Sequence, residues 1–318
     1  MSEPIIETDA LGRDFSVRDG LRRRTVVAVD DLSLRVEAGE SVGYIGANGA
    51  GKSTTIKMLT GILVPTRGAA RTCGLRPVAD RRRLAREVGV VFGQRSQLWW
   101  DLSVRESFSI LAAIHGLSPE RERRRTDELV ERLEVGEFLG TAVRQLSLGQ
   151  RMRAEVAAAL LHSPRLVILD EPTIGLDVLS KQRLREFLLA ERAAHDTTLL
   201  LTTHDMGDVE RLCDRVLLVD RGRLVFDGTL TGLSRTVGAQ RVLVVDLAEP
   251  TPDLAIADTE HLGSEAGGLR QRLAFDPEHT TAARVLAAVT ERVEVRDLAV
   301  EEPDVEDVVR RVYSARGR

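Results

Sequence analysis

The run Gly46-Ala47-Asn48-Gly49-Ala50-Gly51-Lys52-Ser53 concentrates more potential chemistry than any other stretch of this 318-residue chain. Glycines at this spacing let successive backbone N–H groups converge on phosphate oxygens, where a side chain would block the approach. A lysine in this position reaches the β- and γ-phosphates, and the serine after it offers a hydroxyl to Mg²⁺. The loop therefore predicts a nucleoside-triphosphate site built from Gly46, Asn48, Gly49, Ala50, Gly51, Lys52, Ser53 and Thr54. A second cluster, Leu166-Val167-Ile168-Leu169-Asp170-Glu171, puts two adjacent carboxylates at the end of an apolar run. Ligands of open α/β sheets bind at the carboxyl ends of strands. Asp170 there can hold Mg²⁺ directly or through its waters, and Glu171 is placed to polarise an attacking water.

These groups need a scaffold that aims them at one point. Ser41–Ile45 reads as a short apolar strand feeding the glycine-rich loop, and Thr54–Thr60 as a helix leaving it, ended near Gly61. Val88–Phe92, Leu166–Leu169, Thr198–Leu201 and Val216–Val219 read as further buried strands. Apolar strands separated by helices predict a mostly parallel sheet covered on both faces. Thr25–Val36 reads as two strands about a turn at Asp30-Asp31, and Val104–Gly140 as helical throughout. After Gly238 the pattern changes. Arg241–Leu247, Leu269–Phe275 and Val293–Val300 read as strands, with Pro250–Pro252 and Gly263–Gly268 as loops. Thr281–Arg292 and Asp304–Tyr313 carry apolar residues at helical spacing.

Composition narrows the possibilities. Hydrophobic residues make up 43% and charged residues 30%, so a large core and a solvated surface coexist. The net charge of −4 gives no electrostatic case for nucleic-acid binding. The arginine runs Arg22–Arg24, Arg81–Arg83 and Arg123–Arg125 read as solvated faces. Cys73 and Cys213 stand in no metal-ligand spacing and read as reduced thiols. No segment approaches the ~20 apolar residues that span a bilayer. Met1–Phe15 lacks the apolar core of a secretory signal. The expected location is cytoplasmic, with any membrane role exercised through a partner.

A third motif sharpens the reading. Leu146-Ser147-Leu148-Gly149-Gln150 precedes a helical run, Arg151–Leu161, shortly before the acidic strand. It resembles the signature sequence of the ATP-binding cassette (ABC) family, usually Leu-Ser-Gly-Gly-Gln, and the resemblance extends over Ile5–Gly232. It implies an α/β fold: a P-loop NTPase nucleotide-binding domain of ABC type over 1–235, with a helical subdomain at about 95–165. A small α+β accessory domain would follow over 236–318. By the same resemblance Gln94 meets the metal and senses the γ-phosphate, Gly175-Leu176-Asp177 crosses to a second subunit, and His204 contacts the γ-phosphate as the switch histidine. Phe15 resembles the aromatic that stacks on adenine. Lys52, Gln94, Glu171 and His204 are then the catalytic set, and Ser53, Gln94 and Asp170 the Mg²⁺ ligands. The bound nucleotide is ATP.

Two chains, identical or paralogous, would close head to tail, with Ser147, Gly149 and Gln150 of one completing the ATP site of the other. Leu148 departs from the signature pattern, and a leucine would be strained there if the backbone required positive φ. Phe92–Leu102, Gly149–Arg153 and the tail Glu302–Tyr313 are similar to ATPase subunits of export-type systems with separately encoded permeases. That similarity implies a permease partner and a peripheral place at the inner face of the membrane. Trp99 and Trp100, the chain's two tryptophans, follow Gln94 closely. Neighbouring side chains cannot both face one core, so at least one is expected at the surface, where it would dock the permease.

Overall fold

The computed structural model describes residues 3–19, 22–93, 96–236 and 240–301. The chain divides into two compact units, Met1–Thr229 and Leu230–Arg318. The first runs β1 (Ile6–Asp19), β2 (Arg22–Val36), β3 (Ser41–Gly46), α1 (Lys52–Leu59), β4 (Arg67–Thr72), α2 (Arg81–Leu84), β5 (Val88–Phe92), α3 (Val104–His115) and α4 (Pro119–Arg132). It continues with α5 (Leu148–Leu160), β6 (Leu166–Asp170), α6 (Val178–His195), β7 (Thr198–Thr202), α7 (Met206–Leu212), β8 (Arg215–Asp220) and β9 (Arg223–Gly228).

Six of these strands form one sheet in the order β5-β6-β7-β3-β8-β9, parallel except for β9. Both faces are covered, which explains why β6 is an unbroken apolar run rather than an alternating one. Val167 and Leu169 point into a core shared with Met152 of α5 and Phe187 of α6. Leu166 and Ile168 point into the opposite core, with Ile56 and Met58 of α1. A separate antiparallel sheet, β2-β1-β4, packs against that second core through Ile6, Leu11, Val29 and Leu32.

Three local readings need correction. Asp30-Asp31 does not split two strands. β2 is continuous, with Asp31 at φ 55 and shifts in its register with β1, and the Asp30 N–H donates to Gly222 O at 2.9 Å. An irregularity of this kind bends a strand without ending it. The stretch from Val104 to Gly140 is not one helix. α3 ends at Gly116, which takes the left-handed conformation, and α4 restarts with Ser118 as its cap and Pro119 in its first turn. Both stop and start signals stood in the sequence. Leu148 carries no positive φ; it opens α5 directly after the capping residue Ser147.

α4 is fastened to α6 by charge. The buried Arg125 guanidinium pairs with Glu128 and with the buried Glu191, and Arg132 reaches both carboxylates. α3 is joined to the turn that follows α5 by stacked imidazoles, His115 on His162, with ring centroids 3.8 Å apart. His162 is buried, and that burial, helped by His115, pushes its pKa down to about 3. The folded value lies below the unfolded one of about 6.5, so the unfolded chain takes up this proton first. Stability from this group is complete above pH ~6.5 and falls toward pH 3 by up to about 1.4 kcal/mol per unit. Thermal melts across that window should show His162→Phe, which preserves a stackable ring, losing part of the acid slope. An unchanged slope would assign acid sensitivity to other groups.

The second unit runs α8 (Leu230–Thr236), β10 (Arg241–Leu247), β11 (Thr259–Glu265), β12 (Arg270–Phe275), α9 (Ala282–Thr290) and β13 (Val295–Glu301). Its antiparallel sheet has the order β11-β12-β10-β13. Val285 and Val289 of α9 bury against Leu243, Val245, Leu273 and Phe275. β11 occupies part of what the sequence suggested was a loop at Gly263–Gly268. Its only large aliphatic residue is Leu262, and the register slips between His261 and Gly263, so no clean alternation marks it. The expected helix at Asp304–Tyr313 lies outside the described residues.

Candidate active site

The glycine-rich loop joins β3 to α1, and its glycines answer to distinct constraints. Gly51 sits at φ 101, and a Cβ there would collide with Ala28 O of β2. A Cβ on Gly46 would meet Val219 O of β8 at 2.5 Å. Gly49, at φ 81, faces open space: a Cβ there would have nothing within 4 Å, so the loop's outer surface is clear for a ligand. Lys52 is buried and donates from Nζ to Gly46 O at 2.5 Å and to Ala47 O at 3.2 Å. Its ammonium is thus held across the mouth of the loop. Burial lowers its pKa, and the charges of Glu171 and Asp170 pull the other way. Ser53, one residue on, is exposed.

Asp170 ends β6, level with Phe92 of β5 and Thr202 of β7. Its Oδ1 accepts the Thr202 hydroxyl, which fixes the carboxylate and leaves Oδ2 for other partners. Glu171 then turns sharply. Its φ of 57 puts a non-glycine residue in the left-handed region, a conformation that persists only when surroundings impose it. The imposing contact is its N–H, which donates to Thr202 O at 2.9 Å. The Glu171 carboxylate accepts the His204 backbone N–H at 3.3 Å, and His204 Nε2 lies 3.4 Å from the other oxygen. Burial raises the Glu171 pKa, opposed by the neighbouring His204. A carboxylate so placed can accept a proton from water more readily than an exposed one.

Lys52, Asp170, Glu171 and His204 are therefore brought together. Gln94 lies outside the described residues. Its neighbour Gly93 abuts the same spot, since a Cβ there would come within 2.8 Å of Asp170 O. Phe15 is half-buried on β1, opposite Val26, with the Arg13 guanidinium 4.8 Å above its ring. Val26 stands two residues from Ala28, the residue that touches Gly51, so Phe15 flanks the loop without being part of it.

Ser147, Gly149 and Gln150 are held elsewhere, at the first turn of α5. Ser147 Oγ accepts the Gln150 N–H at 3.2 Å and Gln150 Oε1 accepts the Ser147 N–H at 2.9 Å, a reciprocal cap. This turn rests on Gly175 and Leu176. The Leu148 side chain occupies the space over Gly175 where a Cβ would stand, and Gly149 faces Leu176. The leucine in the signature is thus accommodated by a glycine in the crossing segment.

Two of the buried acids that the sequence did not announce, Glu155 and Asp208, lie next to these segments. Glu155 of α5 accepts the Ser96 hydroxyl and the Gln97 N–H, tying the segment after Gln94 to the signature helix. Its signal was a lone carboxylate within the apolar stretch of Arg151–Leu161. Asp208 of α7 is completely buried four residues after His204. An acid in the first turn of a short helix reads as an ordinary dipole partner, which concealed it.

A family model described as ABC transporter matches residues 29–174. The chain is 32% identical over 220 residues to the ABC transporter ATP-binding protein NatA of Bacillus subtilis (strain 168), covering 69% of this chain and 89% of that one. It is 36% identical over 258 residues to the Nod factor export ATP-binding protein I of Paraburkholderia xenovorans (strain LB400), covering 79% of each. A solved structure of an ATP-binding subunit of an ABC transporter superposes with a TM-score of 0.66 at 30% identity, covering 74% of this chain and 94% of that one.

Proposed function

The chain belongs to the ABC transporter family as an ATP-binding, ATP-hydrolysing subunit, and from that premise we propose that it powers export through a separate membrane permease. The observation that carries the catalytic part is the Glu171–His204 pair, set beside Lys52 and Asp170 at the ends of adjacent strands. Export is the activity in the name of the Nod factor relative, and it supports that direction for this chain. Residues 1–229 serve as the catalytic cassette and 230–318 as an accessory domain, a boundary six residues earlier than the 235/236 expected from the sequence. No helix among the described residues is long and apolar enough to cross a membrane; the permease of this proposal is a separate chain.

The Ser53 hydroxyl and the Asp170 carboxylate are hard oxygen donors that fit Mg²⁺, which binds through few protein ligands beside substrate phosphates; Gln94 completes the proposed set. When bound, the ion neutralises charge on the β- and γ-phosphates. The loop N–H groups of Gly49–Ser53 cradle the phosphates, and Lys52 exchanges its two carbonyl partners for phosphate oxygens. Glu171 orients the attacking water and accepts its proton. His204 holds the Glu171 carboxylate and faces the γ-phosphate. Ser147, Gly149 and Gln150 of a second copy close the site from the opposite side, using the helix N-terminus as an anion partner. Phe15 supports the adenine ring.

A composite site makes turnover depend on chain encounters. Per-chain hydrolysis of Mg-ATP should rise with protein concentration and level off once the dimer saturates. Turnover per chain that is independent of dilution would contradict a two-chain site.

Trp99 and Trp100 are both exposed, at 37% and 52%, in the segment that precedes α3. Side-chain alternation along the chain required only one of them to be exposed. Arg151 lies 5.8 Å over the Trp100 ring. Two large exposed aromatics that follow Gln94 closely in the sequence form a reasonable anchor for a permease segment. Trp100→Ala should leave melting temperature and basal ATPase activity near wild type and abolish co-purification with the permease. Normal co-purification of both Trp99→Ala and Trp100→Ala would remove the pair from docking.

A further inference from the structure

Glu171 and His204 follow the ends of the neighbouring parallel strands β6 and β7, and their side chains meet. What holds the two departures together lies behind them, at Asp208. This carboxylate has no exposure to solvent. One oxygen accepts from Arg185 Nε at 2.6 Å. The other accepts the hydroxyls of Thr173 and of Thr203, the latter at 3.2 Å. Thr173 stands two residues after Glu171, and Thr203 immediately before His204. Arg185 belongs to α6, which begins just after Asp177 of the crossing segment. A second bridge follows the same line, from Lys181 of α6 to Asp205 at 2.6 Å. Asp205 also donates its N–H to Thr203 Oγ1 at 3.0 Å.

We infer that Asp208 is a positioning residue for ATP hydrolysis, registering the Glu171 and His204 segments against each other and against the helix that carries the crossing segment. A buried ion pair is a poor source of net stability compared with apolar packing. Its fully satisfied network instead specifies one arrangement. Here that arrangement sets the 3.3 Å and 3.4 Å contacts between Glu171 and His204. Misplacement of reacting groups by about 1 Å lowers rates by as much as ~100-fold. Displacement of the crossing segment by a second copy would reach both catalytic residues through Arg185 and Lys181. The inference rests on the assignment of Glu171 and His204 made above.

Thr203→Val is the cleanest test, because it removes one hydroxyl beside His204 and leaves the Asp208–Arg185 pair intact. The full chain, with Mg-ATP as probe, should show kcat lower by roughly 10- to 100-fold, with KM for ATP within about twofold of wild type. Melting temperature should stay close to wild type, and Thr203→Ser, which restores the hydroxyl, should restore kcat. Thr173→Val should act in the same direction. Asp208→Asn should show the larger loss; if it does not fold, the threonine variants decide. Wild-type kcat in both threonine variants would overturn the inference. So would a loss of kcat that tracks melting temperature and is not rescued by serine. Glu171→Gln, run in parallel, separates the two levels. If it turns over normally, the assignment beneath fails; if it is inactive while the threonine variants are normal, only the positioning role fails.

Discussion

Glu171→Gln is expected to bind ATP as tightly as the wild-type chain and to lose most of its hydrolysis, on the order of 10²- to 10⁴-fold in turnover. The amide fills the same volume and can still accept the His204 N–H that the carboxylate accepts. What it cannot do is take a proton from water. The left-handed backbone at Glu171 is imposed by the contact with Thr202 O, which the substitution leaves alone, so the side chain keeps its aim. Phosphate release at saturating Mg-ATP measures the loss, and titration with a fluorescent ATP analogue measures the retained binding. Turnover at the wild-type rate would remove Glu171 from the role of general base.

Lys52→Ala should have its main effect on binding. Lys52 contributes a full charge to the loop mouth, and hydrogen bonds to charged groups are each worth about 1.5–3 kcal/mol, so affinity should fall roughly 10- to 100-fold or more. The fold should tolerate the change, because the hydrogen bonds Nζ makes within the chain go to the loop's own carbonyls, Gly46 O and Ala47 O. The same fluorescent titration, with a melt as a control for folding, checks both statements. Unchanged affinity together with unchanged turnover would mean that this loop is not the nucleotide site.

Much of the candidate site was legible because its residues lie at the ends of strands that are themselves easy to read. β6 and β7 are short apolar runs buried on both faces, so their ends, and with them Asp170, Glu171 and His204, were located to within a residue or two. The glycine-rich loop was legible for the same reason, since β3 and α1 have sharp signals on either side. The β2-β1-β4 sheet was legible only in β2. β1 carries a mixture of charged and apolar residues, with Ala10 at φ 46 and repeated register shifts against β2, so no regular alternation survives in its sequence. β4, Arg-Gly-Ala-Ala-Arg-Thr, is mostly exposed and has no apolar period at all.

Contacts made at long range were equally hidden. Nothing local to Leu148 announces that Gly175 will make room for it. Nothing local to Asp208 announces that Thr173, Thr203 and Arg185 converge there. Periodicity reports which face of an element is buried; it carries no information on which distant residue is met.

ATP hydrolysis in a site shared by two chains requires that ATP bring two copies together. Light scattering on Glu171→Gln eluting from a sizing column tests it most directly, because slow hydrolysis preserves whatever assembly ATP produces. In Mg-ATP a species at twice the chain mass of 35.0 kDa is expected, reverting to a single chain in Mg-ADP. A variant that binds ATP yet remains a single chain at every concentration tried would contradict it.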